Sequence, residues 1–396
     1  GNPYIDFDRN AAAMSQCCFD GSQDILIKNP TNGVRITTFK ELYESEYSEN
    51  KANLTIFNNG FWSAGKVVKI PRYNKDMYEI ITANNKKIIL TEDHINPTLR
   101  GDIETNQITN DDYLLFNNIE SCIVKERNLN LTYEQGVLIG SYLGDGSKSI
   151  NSNHNHIDLS LNKEKYQALK DILNKAFKDC GSDHTLSLGK EYDNVYPCYV
   201  CDKKIKDFIE AWVYGRYSYE KSLNLECLIQ SKEFRKGIID GYYITDGGNN
   251  NRIYTTSDIL VKQMEALFTS LGIPTIINTV DRTDEKVIIR GQEFNRNYPL
   301  HCIRWYNLHS KKVKDIYQIH NNGLYFKVKS IRKLNNFNED FVYCFEMKDK
   351  NDPYFTLPNG IHTHNCRLVI EFDNNDLLLT KSPEELRFVG GQNVSI

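Results

Sequence analysis

Short apolar runs punctuated by turn residues dominate the first third of the chain. Ile25-Leu26-Ile27 follows an Asp20-Gly21 turn, and Val34-Arg35-Ile36-Thr37-Thr38, Leu54-Thr55-Ile56-Phe57 and the run from Gly65 to Ile70 repeat the strand signature. Met77 to Thr82 and Lys86 to Leu90 flank an Asn84-Asn85 turn, which predicts a hairpin. This spacing predicts an all-β unit rather than alternating strands and helices. Thr38-x-x-Glu41 has capping-box spacing, so a brief helix is expected from Phe39 to Glu46.

The pattern changes in the middle of the chain. Leu138-Ile139-Gly140-Ser141-Tyr142-Leu143-Gly144-Asp145-Gly146 and Ile239-Asp240-Gly241-Tyr242-Tyr243-Ile244-Thr245-Asp246-Gly247 share one design. Each is an apolar helical stretch with small residues at close spacing that ends in Asp-Gly. Gly140 and Gly144 fall four apart, so a second backbone can approach that face closely. Two such helices side by side would bring Asp145 and Asp246 together at their C-terminal ends. There the carboxylates oppose the helix dipoles and each other. A divalent cation between them would make sense of that placement.

Composition sets limits on this picture. The 396 residues exceed one ordinary core, and 40% apolar with 25% charged residues is the balance of a soluble globular protein. A net charge of −4 gives no global nucleic-acid footprint, so any DNA surface must be local. No apolar run approaches bilayer length and no signal peptide is present, so a cytoplasmic (intracellular) protein without membrane partners is expected. Gly1-Asn2-Pro3 lacks an initiator Met, as in a piece of something longer. The 10 cysteines form no regular framework and are expected to be reduced thiols. Cys198-x-x-Cys201 has no answering pair; it reads as a hairpin core or, less simply, a metal knuckle.

The candidate chemistry lies at the two ends. In His362-Thr363-His364-Asn365-Cys366, the Asn365 side-chain nitrogen can attack its own carbonyl and break the Asn365–Cys366 bond. His364 can protonate the departing amine, and Cys366 is then a freed nucleophile. Upstream, Cys18 opens the β unit. Thr91 and His94 follow its last hairpin at a spacing that can aim both at the amide of one scissile bond.

Cys18, Thr91-x-x-His94 and His364-Asn365-Cys366 together resemble an intein of the cysteine-initiated type, and Phe341 to Met347 resembles that family's penultimate block. The resemblance implies an all-β Hint splicing domain running from Cys18 to Asn365, with exteins in cis on either side. The two ends of that span form the Hint domain, and the implied chemistry is acyl transfer: an N–S shift at Cys18, capture by Cys366, and cyclisation of Asn365. Cys17 and Cys18 are adjacent, and the family pattern favours Cys18 as the first intein residue. Many inteins have Asp at the position of Cys344. This thiol reads either as a relay at the N-terminal junction or as a buried strand residue. A His expected two residues before Phe355 is Pro353 here, with His362 a candidate replacement.

The paired Asp-Gly helices resemble the two motifs of a LAGLIDADG homing endonuclease, and Tyr254 to Ile273 resembles the block after the second motif. This implies an inserted α+β domain of two pseudo-symmetric halves, acting as a monomer on a long double-stranded DNA site with Mg²⁺ held by Asp145 and Asp246. Lys221 falls where the family often has an active-site lysine; a solvated surface lysine is the competing reading. Arg304, Lys311, Lys312, Lys314, Lys327 and Lys329 form the most basic run, read as a DNA-backbone track or as a solvated face. The flanks, joined as Gln16-Cys17-Cys366-Arg367, resemble an anaerobic (class III) ribonucleoside-triphosphate reductase. The expected organisation is a host flank at 1–17, splicing domain at 18–125 and 326–365, endonuclease at 126–325, and a second flank at 366–396, with both flanks weakly ordered or peripheral. The alternatives are a splicing element with a decayed nuclease and a host fragment with an inert insertion.

Overall fold

The computed structural model describes residues 11–16, 18–30, 32–45, 54–58, 60–72, 74–117, 131–148, 155–191, 195–289, 292–306, 308, 316–349, 351–365, 367–372 and 378–379. The molecule is mixed and sheet-rich. Six α-helices are described: α1 (Phe39–Glu44), α2 (Tyr133–Asp145), α3 (Lys163–Asp179), α4 (Lys203–Trp212), α5 (Lys232–Asp246) and α6 (Asp258–Ser270).

Both ends of the chain build the first body. A five-stranded sheet runs in the order Phe341–Met347, Phe61–Pro71, Thr55–Asn58, Asp24–Asn29, Gly33–Thr38. A second sheet runs Lys87–Thr91, Met77–Thr82, Gly323–Lys333, Tyr113–Phe116, Ile95–Thr98, Gly101–Glu104, with Tyr317–His320 paired onto Gly323–Lys333. Phe19 bridges Leu90 of one sheet and Tyr343 of the other. Its ring lies within a core of Ile25, Phe39, Leu90, Phe345 and Phe355. α1 carries the expected capping box, with Thr38 Oγ1 accepting from Glu41 N–H while the Glu41 carboxylate accepts from Thr38 N–H.

The second body repeats one plan twice. α2 runs directly into strand Gly146–Lys148, followed by His156–Leu161, α3, Ser187–Leu188 and Tyr196–Cys201. α5 runs into Gly247–Gly248, followed by Arg252–Thr255, α6, Thr275–Val280 and Leu300–Trp305. In each half the sheet order is first, second, fourth, third in the chain. Alternating burial in His156–Leu161 and Tyr196–Cys201 turns Ile157, Leu159, Cys198 and Val200 inward against the helices, where they join one core. That core also takes in Leu26, Val34 and Phe57 from the first body, so the two bodies share an apolar seam. Among the described residues no helix is long and apolar enough to cross a membrane.

Part of each flank is described. Ala11–Gln16 and Arg367–Phe372 form an antiparallel ladder in which Gln16 pairs with Arg367 and Ser15 with Leu368. Strand backbone is satisfied by pairing, and each flank supplies the other's partner.

Candidate functional site

The residues singled out at the two ends of the chain meet in the first body. Cys18 is 1% exposed. Its N–H donates to Thr91 Oγ1 at 3.3 Å and its carbonyl accepts from Thr91 N–H at 3.0 Å. Thr91 therefore grips the very amide that an N–S shift at Cys18 would release. The gripping geometry comes from the sheets: Phe19 N–H donates to the Tyr343 carbonyl at 2.7 Å, which threads residues 18 and 19 between two strands.

His94 is buried just past the hairpin. Its carbonyl accepts from Thr105 N–H at 2.8 Å and from Asn96 Nδ2 at 2.9 Å, fixing the backbone. The ring stands edge-on to Phe19, 4.7 Å between centroids, and Nε2 lies 2.8 Å from Thr363 Oγ1. Thr363 is the residue the sequence reading missed. It sits between two histidines, and only its inward place on strand His362–His364 distinguishes it. Through it, His94 touches both ends of the site.

At the C-terminal junction, strand Tyr354–Thr356 pairs with His362–His364. Asn365 is buried and its N–H donates to the Pro353 carbonyl at 2.6 Å. His364 Nδ1 lies 2.7 Å from the Asn365 carbonyl oxygen, which can only accept, so Nδ1 carries the proton. The expectation put His364 at the departing amine; the ring hydrogen-bonds the carbonyl of the same Asn365–Cys366 bond. His362 is stacked on Tyr354, lies 3.0 Å from Thr356 Oγ1 and is pushed down to about 4 by burial. Cys344 is fully buried in a small apolar cluster with Cys18, Met77 and Val342, and its Sγ faces the Phe345 carbonyl at 3.7 Å. Cys17 and Cys366 lie outside the described residues.

The second constellation is the α2–α5 pair. A Cβ at Gly140 would overlap the Ile238 carbonyl oxygen, and one at Gly241 the Val137 carbonyl oxygen, so the helices touch backbone to backbone. This contact delivers both carboxylates to one place. Burial raises the Asp145 pKa; it also pushes Asp246 up to about 6, with Asp145 adding repulsion. Lys165 of α3 binds Asp145 Oδ2 at 2.7 Å. Nothing in the sequence pattern marked Lys165, because the pairing depends on where α3 crosses the end of α2.

Lys221 is 5% exposed, which removes the solvated-surface reading. Its Nζ lies within donating reach of the carbonyl oxygens of Tyr142 (3.0 Å), Leu143 (2.8 Å), Gly144 (3.0 Å) and Gly146 (2.8 Å). These carbonyls cluster at the end of α2, where that of Tyr142 also accepts the Gly146 N–H, so Lys221 caps the helix from within. Burial pushes its pKa down to about 8, against the pull of Asp246 and Asp145.

Among the described residues no three His, Cys, Asp or Glu side chains gather as a ready-made metal site. The Asp145 and Asp246 carboxylates are nevertheless oxygen donors of the kind a hard divalent ion prefers. The raised carboxylate pKa values are the strain a bound cation would relieve.

The outward residues of the two four-stranded sheets are mixed, with exposed Ser160 and Tyr199 on the first and exposed Val280 and Arg304 on the second. On the second, Arg252 is directly opposite Arg304, with Ile276 on the other side of Arg304. Like charges directly across a ladder are unfavourable unless an anion joins them. Of the remaining basic run, Lys311, Lys312 and Lys314 lie outside the described residues. Lys327 and Lys329 sit on the first body, where Lys327 lies 3.9 Å from Asp111 and Lys329 donates to Asn85 Oδ1 at 3.0 Å.

No protein-family model matches the sequence, and no curated protein does. Similar solved structures include a mesophilic variant of the homing endonuclease I-DmoI, at 15% identity and a TM-score of 0.34, covering 47% of this chain and 93% of that one. I-DmoI in complex with DNA and Ca is similar at 14% identity and a TM-score of 0.34, over 49% of this chain and 93% of that one. The gp41-1 intein is similar at 18% identity and a TM-score of 0.19, over 26% of this chain and 69% of that one. At these scores the functional reading rests on the geometry above.

Proposed function

We propose that the segment from Cys18 to Asn365 is a self-excising protein-splicing element of the intein kind, carrying an inserted site-specific DNA endonuclease. The observation that carries the first half is the meeting of the two junctions. Thr91 holds the Cys18 amide, His94 reaches Thr363, His364 polarises the Asn365 carbonyl, and the flanks pair Gln16 with Arg367.

The chemistry follows from proximity. The Cys18 thiol attacks the Cys17 carbonyl; the C–N bond breaks, the nitrogen takes a proton, and a thioester forms. The Cys366 thiol then displaces the Cys18 thiolate from that acyl group. The Asn365 amide nitrogen attacks its own carbonyl, expelling the Cys366 nitrogen with a proton. The freed amine finally takes the acyl group from sulfur, leaving an ordinary peptide bond between the flanks. No external energy source is needed, because each step exchanges one acyl bond for another. The reading of the host as an anaerobic ribonucleoside-triphosphate reductase is supported by the junction sequence alone.

For the insert, Asp145 and Asp246 would hold the divalent ion, taken as Mg²⁺. When bound, such an ion supplies a polarised water and stabilises a leaving phosphate oxygen. Lys165 fixes Asp145 and Lys221 the helix end, and within one monomer the second four-stranded sheet offers Arg252 and Arg304 to a DNA backbone. DNA substrate and reduced thiols together suit an intracellular protein.

Intact masses of the reduced chain over time test splicing. The expected products are residues 1–17 joined to 366–396, and a released protein from Cys18 to Asn365; Cys18→Ala and Asn365→Ala should each prevent ligation. An unchanged precursor mass, or ligation by either variant, overturns the reading. For the nuclease, Asp145→Asn should abolish Mg²⁺-dependent cleavage of a duplex selected from a randomised library, with splicing intact. Undiminished cleavage would remove Asp145 from the site.

A further inference from the structure

We infer that Thr269, in the last turn of α6, and Asn117 are positioning residues for the C-terminal junction, so that the inserted body completes the splicing site. This rests on the splicing reading above. The turn Leu357–Ile361 joins the two strands that present Asn365. Its Pro358 carbonyl accepts from Thr269 Oγ1 at 3.1 Å. The Thr269 carbonyl in turn accepts from Asn117 Nδ2 at 2.8 Å, and Asn117 N–H donates to the Gly360 carbonyl at 2.9 Å. These bonds close a ring from α6 through Asn117 to both sides of the turn, and Thr269 and Asn117 are each 1% exposed. The turn has no slack inside the ring. Gly360 has φ +91°, and a Cβ there would overlap the Phe116 ring, while Phe116 bridges Ile361.

α6 is itself anchored. Arg235 of α5 donates to the Ser270 carbonyl at 2.7 Å, and Glu265 pairs with buried Lys86 of the first body. The support at Pro358 is therefore a fixed point, and strand His362–His364 starts a few residues beyond it. Cyclisation of Asn365 requires its amide nitrogen to approach a carbonyl that His364 polarises. A shift of a fraction of an ångström in this strand is felt in the rate. Removing the buried Thr269 hydroxyl would take this donor from the Pro358 carbonyl and leave the turn free to move. The N-terminal junction has no share in this ring: Cys18 is held by Thr91 and Phe19 by Tyr343.

The two junctions can be read separately in the full chain. With Cys18→Ala, release of the 366–396 peptide reports Asn365 cyclisation alone. With Asn365→Ala, thiol-induced cleavage after Cys17 reports thioester formation alone. Thr269→Val should slow peptide release roughly tenfold, leave thiolysis unchanged, and be rescued by Thr269→Ser. Release at the native rate overturns the proposal. So does equal slowing of both reactions, which would mean general loosening. If Cys18→Ala with native Thr269 releases no peptide at all, the splicing reading falls first, and this proposal with it.

Discussion

Asp246 and Lys221 are both buried, and burial works against the charged form of each. Asp246 is pushed up to about 6 from an ordinary 3.8. A raised carboxyl pKa contributes stability that is full below 3.8 and is lost as pH rises through about 6. At pH 7 without divalent ions the native chain carries that penalty, and Asp246→Asn does not. The variant should therefore be more stable at pH 7 by roughly 1–3 kcal/mol, reduced by whatever solvent reaches the site. At pH below 3.8 both side chains are neutral and the gain should vanish. Denaturant titrations at the two pH values check this, and a gain that persists in acid would place its cause elsewhere. Adding Mg²⁺ should raise the native stability and leave the variant unmoved, since only a ligand that binds the fold shifts it. Cys18, Thr91, Asp145 and Asp246 could be picked from the sequence because their types and spacing fit the proposed chemistry. Thr363, Lys165 and the true partners of Lys221 could not, because each depends on a contact between segments distant in the chain.

At the level of elements, the Asp-Gly helices were legible because close approach demands small residues at helical spacing. Strands Asp24–Asn29, Gly33–Thr38 and Met77–Thr82 were legible by their apolar runs and turns. Strand Phe61–Pro71 is longer at its start than its pattern predicts. Phe61 to Ala64 lack alternation and owe their conformation to pairing with Thr55–Asn58. The pairing of Phe341–Met347 with Phe61–Pro71 was equally hidden, since register across such a separation leaves no local trace. The helix pair supports a sharp expectation. In Gly140→Val the new side chain would meet the Ile238 carbonyl and the Tyr242 amide, which are backbone and cannot swing aside. A cost of about 2–4 kcal/mol and loss of DNA cleavage should follow, read by denaturant unfolding and a nicking assay. A valine tolerated with native stability would mean the helices are not in backbone contact.

Across the whole molecule, two bodies share a seam and two flanks share a ladder. The flanks were expected to be weakly ordered or peripheral. Residues 11–16 and 367–372 pair with each other, with Gln16 opposite Arg367. The ladder thus ends one peptide short of Cys17 on one side and of Cys366 on the other. A transfer that moves an acyl group from the first flank to a thiol at the start of the second gains from any device that keeps those ends together. Proline at Ser15 would remove a backbone donor and fix φ, weakening the ladder while leaving Cys18, Asn365 and their partners in place. In Ser15→Pro the thioester should still form, but water should compete with Cys366 for it. The ratio of ligated to hydrolysed first flank, read by mass, should fall by about tenfold, while release of 366–396 in the Cys18→Ala background is unchanged. An unaltered ratio would mean that residues Cys18 to Asn365 align the junctions without help from the ladder.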